Sequence, residues 1–482
     1  MGRILCKRNL ATKVARARRE HLLRQMLSYL EVGLKVLFVS LGCDKNLVDS
    51  EMMIGMLEDD GFEITNDENE AEAVVINTCA FILDAKQESI ETILEFVEAR
   101  KTGRIKALIV AGCLAQRYAD EIHNEIPEVD ALIGTASFDE IVGVLKNTLD
   151  GASEDVMKDI HAPAICGKRR VLTQGGHSAY LKVAEGCDKK CTYCAIPSFR
   201  GSYRSVPMEK LIAEAQQLAG NGVKELILVA QEITVYGQDL YGRKSLPELI
   251  KKLAKIDDIA WIRLLYCYPE EIDDELIATI RDEEKVCHYL DMPIQHASDH
   301  ILQKMGRRTN REFLEKLIAK LRHEIPDICL RTTLITGFPG ETEEDFIDLY
   351  NFVDESEFDR LGVFAYSAEE GTIAATMPNQ VPEDIKEARK NEIMELQQEI
   401  AFEKAENMNG RRLTVMIEGR LVEDNVLVGR SYMDAPDVDG YIFIDSDKDY
   451  DSGTILDIMI TGSSEYDLLG QVITGGEDEF TK

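Results

Sequence analysis

Apolar runs of five or six residues, each closed by small or polar residues, recur along this chain with helix-like stretches between them. Lys35–Ser40, Ala73–Asn77 and Ala107–Ala111 are the first three. Six more follow at Tyr180–Glu185, Glu225–Ala230, Trp261–Cys267, His288–Pro293, Cys329–Gly337 and Arg360–Tyr366. Amphipathic segments such as Met208–Ala219, Leu246–Ala254 and Glu343–Val353 separate them. Near-continuous apolar strands alternating with helices predict parallel sheets with helical crossovers. The first three strands suit an open parallel α/β domain over residues 35–150. The next six suit an incomplete (β/α)6 barrel over 177–410, after a linker at 151–176 rich in Gly, charge and His. From residue 411 to 482 the pattern changes to short alternating runs (Leu413–Ile417, Asn425–Arg430, Tyr441–Ile444, Thr454–Thr461), which predict a small antiparallel β-barrel. A long helix is expected from Pro382 to Asn407, with Glu and Lys interleaved along Ile385–Ala405, the pattern of a solvated strut between barrel and C-terminal domain.

The chemistry sits at strand ends. Cys187, Cys191 and Cys194, spaced C-x3-C-x2-C, follow the strand at Tyr180–Glu185. Four thiolates close an iron-sulfur cluster and four Cys or His ligands close a structural zinc site, so a compact triad leaves one position for an outside ligand. The spacing matches neither a zinc ribbon nor a redox C-x-x-C pair. In a βα barrel the C-terminal ends of the strands form the face that carries active sites. Upstream, Cys43, Cys79 and Cys113 each follow one of the first three strands. Parallel strands with helical crossovers bring such ends together along one edge of a sheet, so these thiols, far apart in sequence, can converge as a second trio. Cys267, Cys287 and Cys329 lie in or beside barrel strands and read as packing, Cys166 lies in the linker, and Cys6 has no evident partner.

The C-x3-C-x2-C triad in this setting resembles the radical S-adenosylmethionine superfamily. Two triads in one chain resemble its methylthiotransferases, through Ser40–Asn46 (SLGCDKN), Asn77–Ala80 (NTCA), Ala111–Leu114 (AGCL) and Glu185–Arg200 (EGCDKKCTYCAIPSFR). The run Cys43–Glu51 (CDKNLVDSE) is similar to the members that modify an aspartate of a ribosomal protein and less to those that modify transfer RNA. The resemblance implies two 4Fe-4S clusters, held by Cys187, Cys191 and Cys194 and by Cys43, Cys79 and Cys113, with S-adenosylmethionine on the first. Tyr193 would border the adenine. Glu232, in Val-Ala-Gln-Glu where the superfamily often has Gly-Gly-Glu, would meet the cofactor's amino group. Arg331 and Gly337, in RTTLITGFPGE, would complete the cofactor site, although a plain Gly-Pro turn explains that stretch equally well. The C-terminal region resembles a TRAM domain. The implied reaction uses a 5'-deoxyadenosyl radical to remove a β-carbon hydrogen from an aspartate of small-subunit ribosomal protein twelve, and installs a methylthio group there. It needs an external electron donor and a sulfur donor.

Charge bears on the choice of partner. The net charge is -33, and the C-terminal region carries Asp434, Asp437, Asp439, Asp445, Asp447, Asp449, Asp451 and Asp457. RNA binding draws on Lys and Arg contacts to phosphate, so strong direct RNA binding is not expected, whereas a basic protein substrate is. A transfer-RNA adenosine methylthiotransferase and a noncatalytic iron-sulfur protein are the competing readings. No apolar stretch approaches membrane-spanning length, and eleven cysteines without a signal peptide suit a reducing cytoplasm. Residues 1–34, rich in Arg, are expected to be a disordered basic extension. Among the histidines, His177, His288 and His300 are expected to be structural, and His296, in MPIQH at a strand end, is the one worth testing.

Overall fold

A computed structural model describes residues 33–421 and 425–473. The expectation for residues 1–34 lies almost wholly outside the described residues, as does Cys6. Strands β1 (Lys35–Ser40), β2 (Glu63–Thr65), β3 (Ala73–Thr78), β4 (Ala107–Gly112) and β5 (Ala131–Ile133) form a parallel sheet in the order β2-β1-β3-β4-β5. β3 and β4 are buried along their whole length, as central strands covered on both faces must be. Val36, Val75 and Ile109 pack under helices Asp44–Asp59 and Ile141–Leu149. The alternate residues Leu37, Ile76 and Val110 pack under Leu83–Lys101 and Cys113–Arg117.

The second unit adds β6 (Ser178–Lys182), a ribbon of β7 (Ala184–Glu185) and β8 (Arg204–Ser205), then β9 (Glu225–Val229), β10 (Trp261–Leu264), β11 (Val286–Asp291), β12 (Cys329–Thr336) and β13 (Arg360–Ala365). The six long strands pair in parallel in the order β6-β9-β10-β11-β12-β13, the expected incomplete barrel. The segment 151–176 runs along both units. Val156 bridges to Ile133 at the edge of the first sheet, and the buried Arg170 joins Glu51 to Glu214 at 2.5 and 2.7 Å.

The helix Glu383–Glu406 is no solvated strut. Its Lys386, Arg389, Ile393, Leu396, Gln397 and Ala401 are buried, with Ile393 and Leu396 in the barrel's core and Arg389 on Glu341 at 2.8 Å. The inward face recurs every three or four residues as expected for a packed helix, but half of it is polar, which hides it from hydropathy patterning.

Strands β14 (Arg412–Leu421), β15 (Val426–Ser431), β16 (Ile442–Asp445), β17 (Ile455–Ser464) and β18 (Asp467–Val472) close a barrel in the order β14-β15-β16-β18-β17. It is not wholly antiparallel. β17 pairs with β14, and the chain returns through β18 to seal against β16 in parallel.

The Ser431–Asp439 loop enters the larger barrel at the N-terminal ends of its strands, where Ala435 packs with Ile227, Tyr289 and Cys329. Glu225, fully buried, receives Arg263 and Arg430 at 2.7 Å each. Asp434 meets Arg360 at 2.5 Å, and Asp439 accepts the Tyr289 hydroxyl at 2.7 Å. Asp434 and Asp439 therefore do not belong to the acidic surface that the sequence suggested; they are interior partners of barrel arginines. Cys267, Cys287 and Cys329 are buried, as expected for packing residues.

Burial pushes the Glu225 carboxyl up, but the two guanidiniums outweigh it and hold it at about 2. A carboxyl depressed below its ordinary 4.5 stabilises the fold fully above that pH, and the contribution fades as pH falls toward 2. Glu225→Gln leaves the buried Arg263 without a counter-charge and Arg430 with Glu418 alone (2.6 Å), and is expected to cost about 3–5 kcal/mol. The single tryptophan, Trp261, packs beside this loop. Its emission during urea unfolding, followed at pH 7 and pH 3, measures both effects; an unchanged midpoint at pH 7 would show that the triad does not hold the loop.

Candidate active site

Cys43, Cys79 and Cys113 follow β1, β3 and β4, which are three neighbouring strands of one sheet. Neighbouring strands lie about 4.8 Å apart, so the three backbone positions span roughly 10 Å along one edge. Two asparagines fix the loops. Asn46 donates to the carbonyls of Leu41 (3.0 Å) and Thr78 (2.9 Å), and its Oδ1 lies 3.7 Å from Cys113 Sγ. Asn77 donates to Asn46 O (3.0 Å) and Ser50 Oγ (2.9 Å). Gly42, at φ 88°, is required by crowding as well as by conformation, since a Cβ there would sit 2.7 Å from Cys79 Cβ and 3.0 Å from its sulfur.

Cys187, Cys191 and Cys194 hang on the loop between β7 and β8. The Lys189 amide donates to Cys187 Sγ at 3.4 Å, and the Tyr268 hydroxyl lies 3.5 Å from Cys191 Sγ. The continuation of this loop enters the other domain. Ala195 and Phe199 join the core of the first sheet, and Thr135 donates to Phe199 O at 2.6 Å. Arg200 ends the segment with its guanidinium buried. Its Nε donates to Cys113 Sγ at 3.3 Å, its Nη1 to Asp49 (2.9 Å) and Glu185 (3.0 Å), and its Nη2 to Asn46 Oδ1. Lys182 pairs with the same Asp49 and Glu185, and Gln231 donates to Glu185 at 2.8 Å. Two cations and two carboxylates thus lie in a sealed space between the two sets of thiols. A second bridge is made by Lys45, whose ammonium lies 3.4 Å from the centre of the Tyr266 ring while that tyrosine's hydroxyl donates to Asp44 at 3.1 Å.

Burial pushes Cys113, Cys187 and Cys194 up to about 12 and raises Cys79 as well. Such thiols do not ionise on their own at neutral pH, so ligation would require a strongly cationic centre to take the thiolates. Among the described residues no three His, Cys, Asp or Glu side chains converge on a single ion. All-sulfur trios spread along a sheet edge or a loop instead suit an iron-sulfur cluster, whose thiolates attach to different irons. The surroundings of Cys191 are also incomplete. A cavity of about 150 Å³ opens there, lined in part by Lys189, Tyr268, Glu270 and Arg307. Arg307 Nε and Nη1 and Glu270 Oε2 are buried without hydrogen bonds, the carboxylate facing Arg307 Nη2 at 3.6 Å. Glu232, buried beside Lys189 (3.6 Å), is pushed by its burial up to about 7. A carboxyl so balanced becomes a carboxylate when an ammonium group arrives. The donor set, the unpartnered groups and the cavity fit an iron-sulfur centre with an amino-acid-bearing cofactor.

The remaining candidates separate. Tyr193 packs with Ile301, Met305 and Phe338 beside the Cys191 loop. Arg331 is bound to Asp291 at 2.8 Å and faces Asp439 of the inserted loop at 3.6 Å, in the barrel interior away from the thiol loop. Gly337 gives its amide to Glu341 at 2.9 Å, and the space a Cβ would need is filled by Lys386, so its glycine serves helix packing. His177, His288 and His300 are paired with Glu418, Asp327 and Asp345. His296 is buried, accepts the Ser298 amide at Nδ1 (2.9 Å) and faces Glu341 at 3.4 Å, remote from either trio in its partners. Sequence reasoning gave no role to Arg307; a Gly-Arg-Arg run after a short helix is the only trace of it.

Gly42→Ala is expected to displace Cys79 and to lower the iron and sulfide bound after anaerobic reconstitution by about half, with the Cys187 loop unaffected. Iron per chain, measured for G42A, C191A and their double variant, checks this; full occupancy in G42A would show that the Gly42–Cys79 contact is not limiting.

Residues 35–134 match the family described as uncharacterized protein family UPF0004, residues 181–353 the radical SAM superfamily, and residues 410–473 the TRAM domain. The ribosomal protein uS12 methylthiotransferase RimO of Lachnoclostridium phytofermentans is 60% identical over 437 residues, covering 91% of this chain and 99% of that one. The protein of the same name from Acetivibrio thermocellus is 51% identical over 447 residues, covering 91% and 98%. Among solved structures, the radical S-adenosylmethionine methyltransferase TsrM of Kitasatospora setae aligns at TM-score 0.49 and 14% identity over 68% of this chain and 72% of that one. With relatives this similar over nearly its whole described length, the chain belongs to the ribosomal protein uS12 methylthiotransferase family of the radical SAM superfamily.

Proposed function

We propose that this protein replaces a β-carbon hydrogen of an aspartate in ribosomal protein uS12 by a methylthio group, with one 4Fe-4S cluster on Cys187, Cys191 and Cys194, a second on Cys43, Cys79 and Cys113, and S-adenosylmethionine as cofactor. The observation that carries the reading is the position of Arg200, which touches Cys113 while its own loop carries the other trio. When bound, the clusters and cofactor supply the hydrogen abstraction and sulfur chemistry that no side chain can perform at an unactivated carbon.

The chain's own part is binding and exclusion. Glu232 would take the ammonium end of the cofactor's amino acid, and Arg307, stacked 4.4 Å from the Tyr268 ring centre with Nε and Nη1 unbonded, would take its carboxylate. Tyr193 borders the adenine. The buried Asp49–Lys182–Glu185–Arg200 group ties the loops of the two trios together, and would hold bound clusters in fixed register and keep water away from the reaction between them. Electrons and sulfur come from external donors. A ribosomal substrate implies a cytoplasmic site of action, and among the described residues no helix is long and apolar enough to cross a membrane.

The test is anaerobic. Reconstituted protein is given S-adenosylmethionine, reductant, a sulfide source, and either uS12 or unmodified transfer RNA, and substrate mass is followed. One methylthio group on an aspartate of uS12 is expected. Cys191→Ala should lose cofactor cleavage, and Cys79→Ala should retain cleavage while losing methylthio transfer. Modification of transfer RNA in place of uS12, or two variants that differ from the parent in stability alone, would sink the reading.

A further inference from the structure

Helix Leu83–Lys101 follows directly from the Cys79 loop and presents to solvent a face that its fold does not use. Leu83 is 62%, Ile90 41% and Leu94 52% exposed. At 100° per residue these three positions, seven and four residues apart, lie within about 40° of one another and form one stripe. The opposite face, through Ser89, Ile93, Phe96 and Ala99, is the one buried on the sheet. Phe81, 47% exposed, extends the stripe toward Cys79. Across the domain boundary Ile373, 61% exposed, is held at the head of the helix by a clasp. Glu369 of its loop meets Lys86 at 2.8 Å and Arg117 at 3.0 Å, and the same arginine donates to Ala80 O at 3.1 Å. Along one flank of the stripe Glu91, Glu95 and Glu98 are exposed in successive turns.

From this stripe we infer the docking site for the protein substrate, an inference that rests on the proposed function: the stripe receives a basic segment of uS12 that sets apolar side chains against Leu83, Ile90 and Leu94 and its Lys or Arg against the glutamates. Apolar anchors flanked by charge of one sign favour a partner of the opposite sign. A phosphate backbone or an anionic lipid surface would meet the same glutamates as like charge, which leaves a basic polypeptide as the fitting occupant. The place is also right. A segment seated on the head of the helix reaches past Phe81 to the Cys79 loop, so docking and sulfur delivery share one end of the first sheet.

The experiment uses the reconstituted full chain and its Leu83→Ser/Ile90→Ser/Leu94→Ser variant, whose substitutions all lie on exposed positions. Binding of labelled uS12 by fluorescence anisotropy, KM and kcat for uS12, and cofactor cleavage without uS12 are measured together. Kd and KM are expected to rise about tenfold, with kcat and uncoupled cleavage within about twofold of the parent. Glu91→Lys/Glu95→Lys/Glu98→Lys should weaken binding at low salt and much less at high salt. Unchanged Kd and KM in the triple serine variant would overturn the assignment. So would a parent dimer, seen by sedimentation, that the same variant dissociates, because a second copy would then be the occupant. A parent that binds uS12 through the stripe yet never modifies it would sink the proposed activity and support the docking site.

Discussion

One buried guanidinium decides how the two halves of this protein sit together. Arg200 is reached only through the loop that carries Cys187, Cys191 and Cys194, yet all its partners but Glu185 belong to the first domain. A cation with 3% of its surface exposed can be kept there only if its hydrogen bonds and counter-charge are complete. Asp49 and Glu185 supply the charge, Lys182 balances the second carboxylate, and Asn46 and Cys113 take the remaining directions. Sliding one domain against the other would strand charges from both. The register between the thiol trios is therefore held by electrostatics that tolerate little displacement, and Ala195 and Phe199, buried in the first domain's core, add an apolar lock beside it.

A similar constraint closes the far end of the barrel. Glu225, Arg263 and Arg430 share one buried site, with Arg360 on Asp434 next to it, so the C-terminal domain is fastened by charges drawn from both partners. The Ser431–Asp439 loop occupies part of that mouth, beside an open cavity lined by Ser178, Tyr180, Ile227 and Asp437, while both trios lie at the strand C-termini.

Much of this was legible in the chain. Apolar runs that end at a Cys locate a thiol at a strand's carboxyl end, and the crossover rule for parallel strands brings three such ends together without any knowledge of contacts. What patterning could not show was pairing. Asp434 and Asp439 look like surface acid until Arg360 and Tyr289 are found against them. Lys386, Arg389 and Gln397 look like a wet helix face until the barrel beneath them is built. Gly337 looks like a place for a ligand, and its neighbour is Lys386. The misses at polar residues have one cause: the partner lies far away in sequence, and burial of a charge is decided by that partner and not by the residue's own hydropathy.

The same principle separates the thiols from their scaffold. Around the first trio Asn46, Asn77 and Arg200 are satisfied by the protein itself, with Asp44 Oδ2 left unbonded. Around the second, Arg307 and Glu270 keep unpartnered atoms beside a cavity, and Glu232 stands near its neutral point. Buried polar groups left unsatisfied are costly in a fold that has no use for them. The loops of Cys43, Cys79 and Cys113 are accordingly held by protein contacts, whereas the surroundings of Cys191 keep unsatisfied groups beside a cavity.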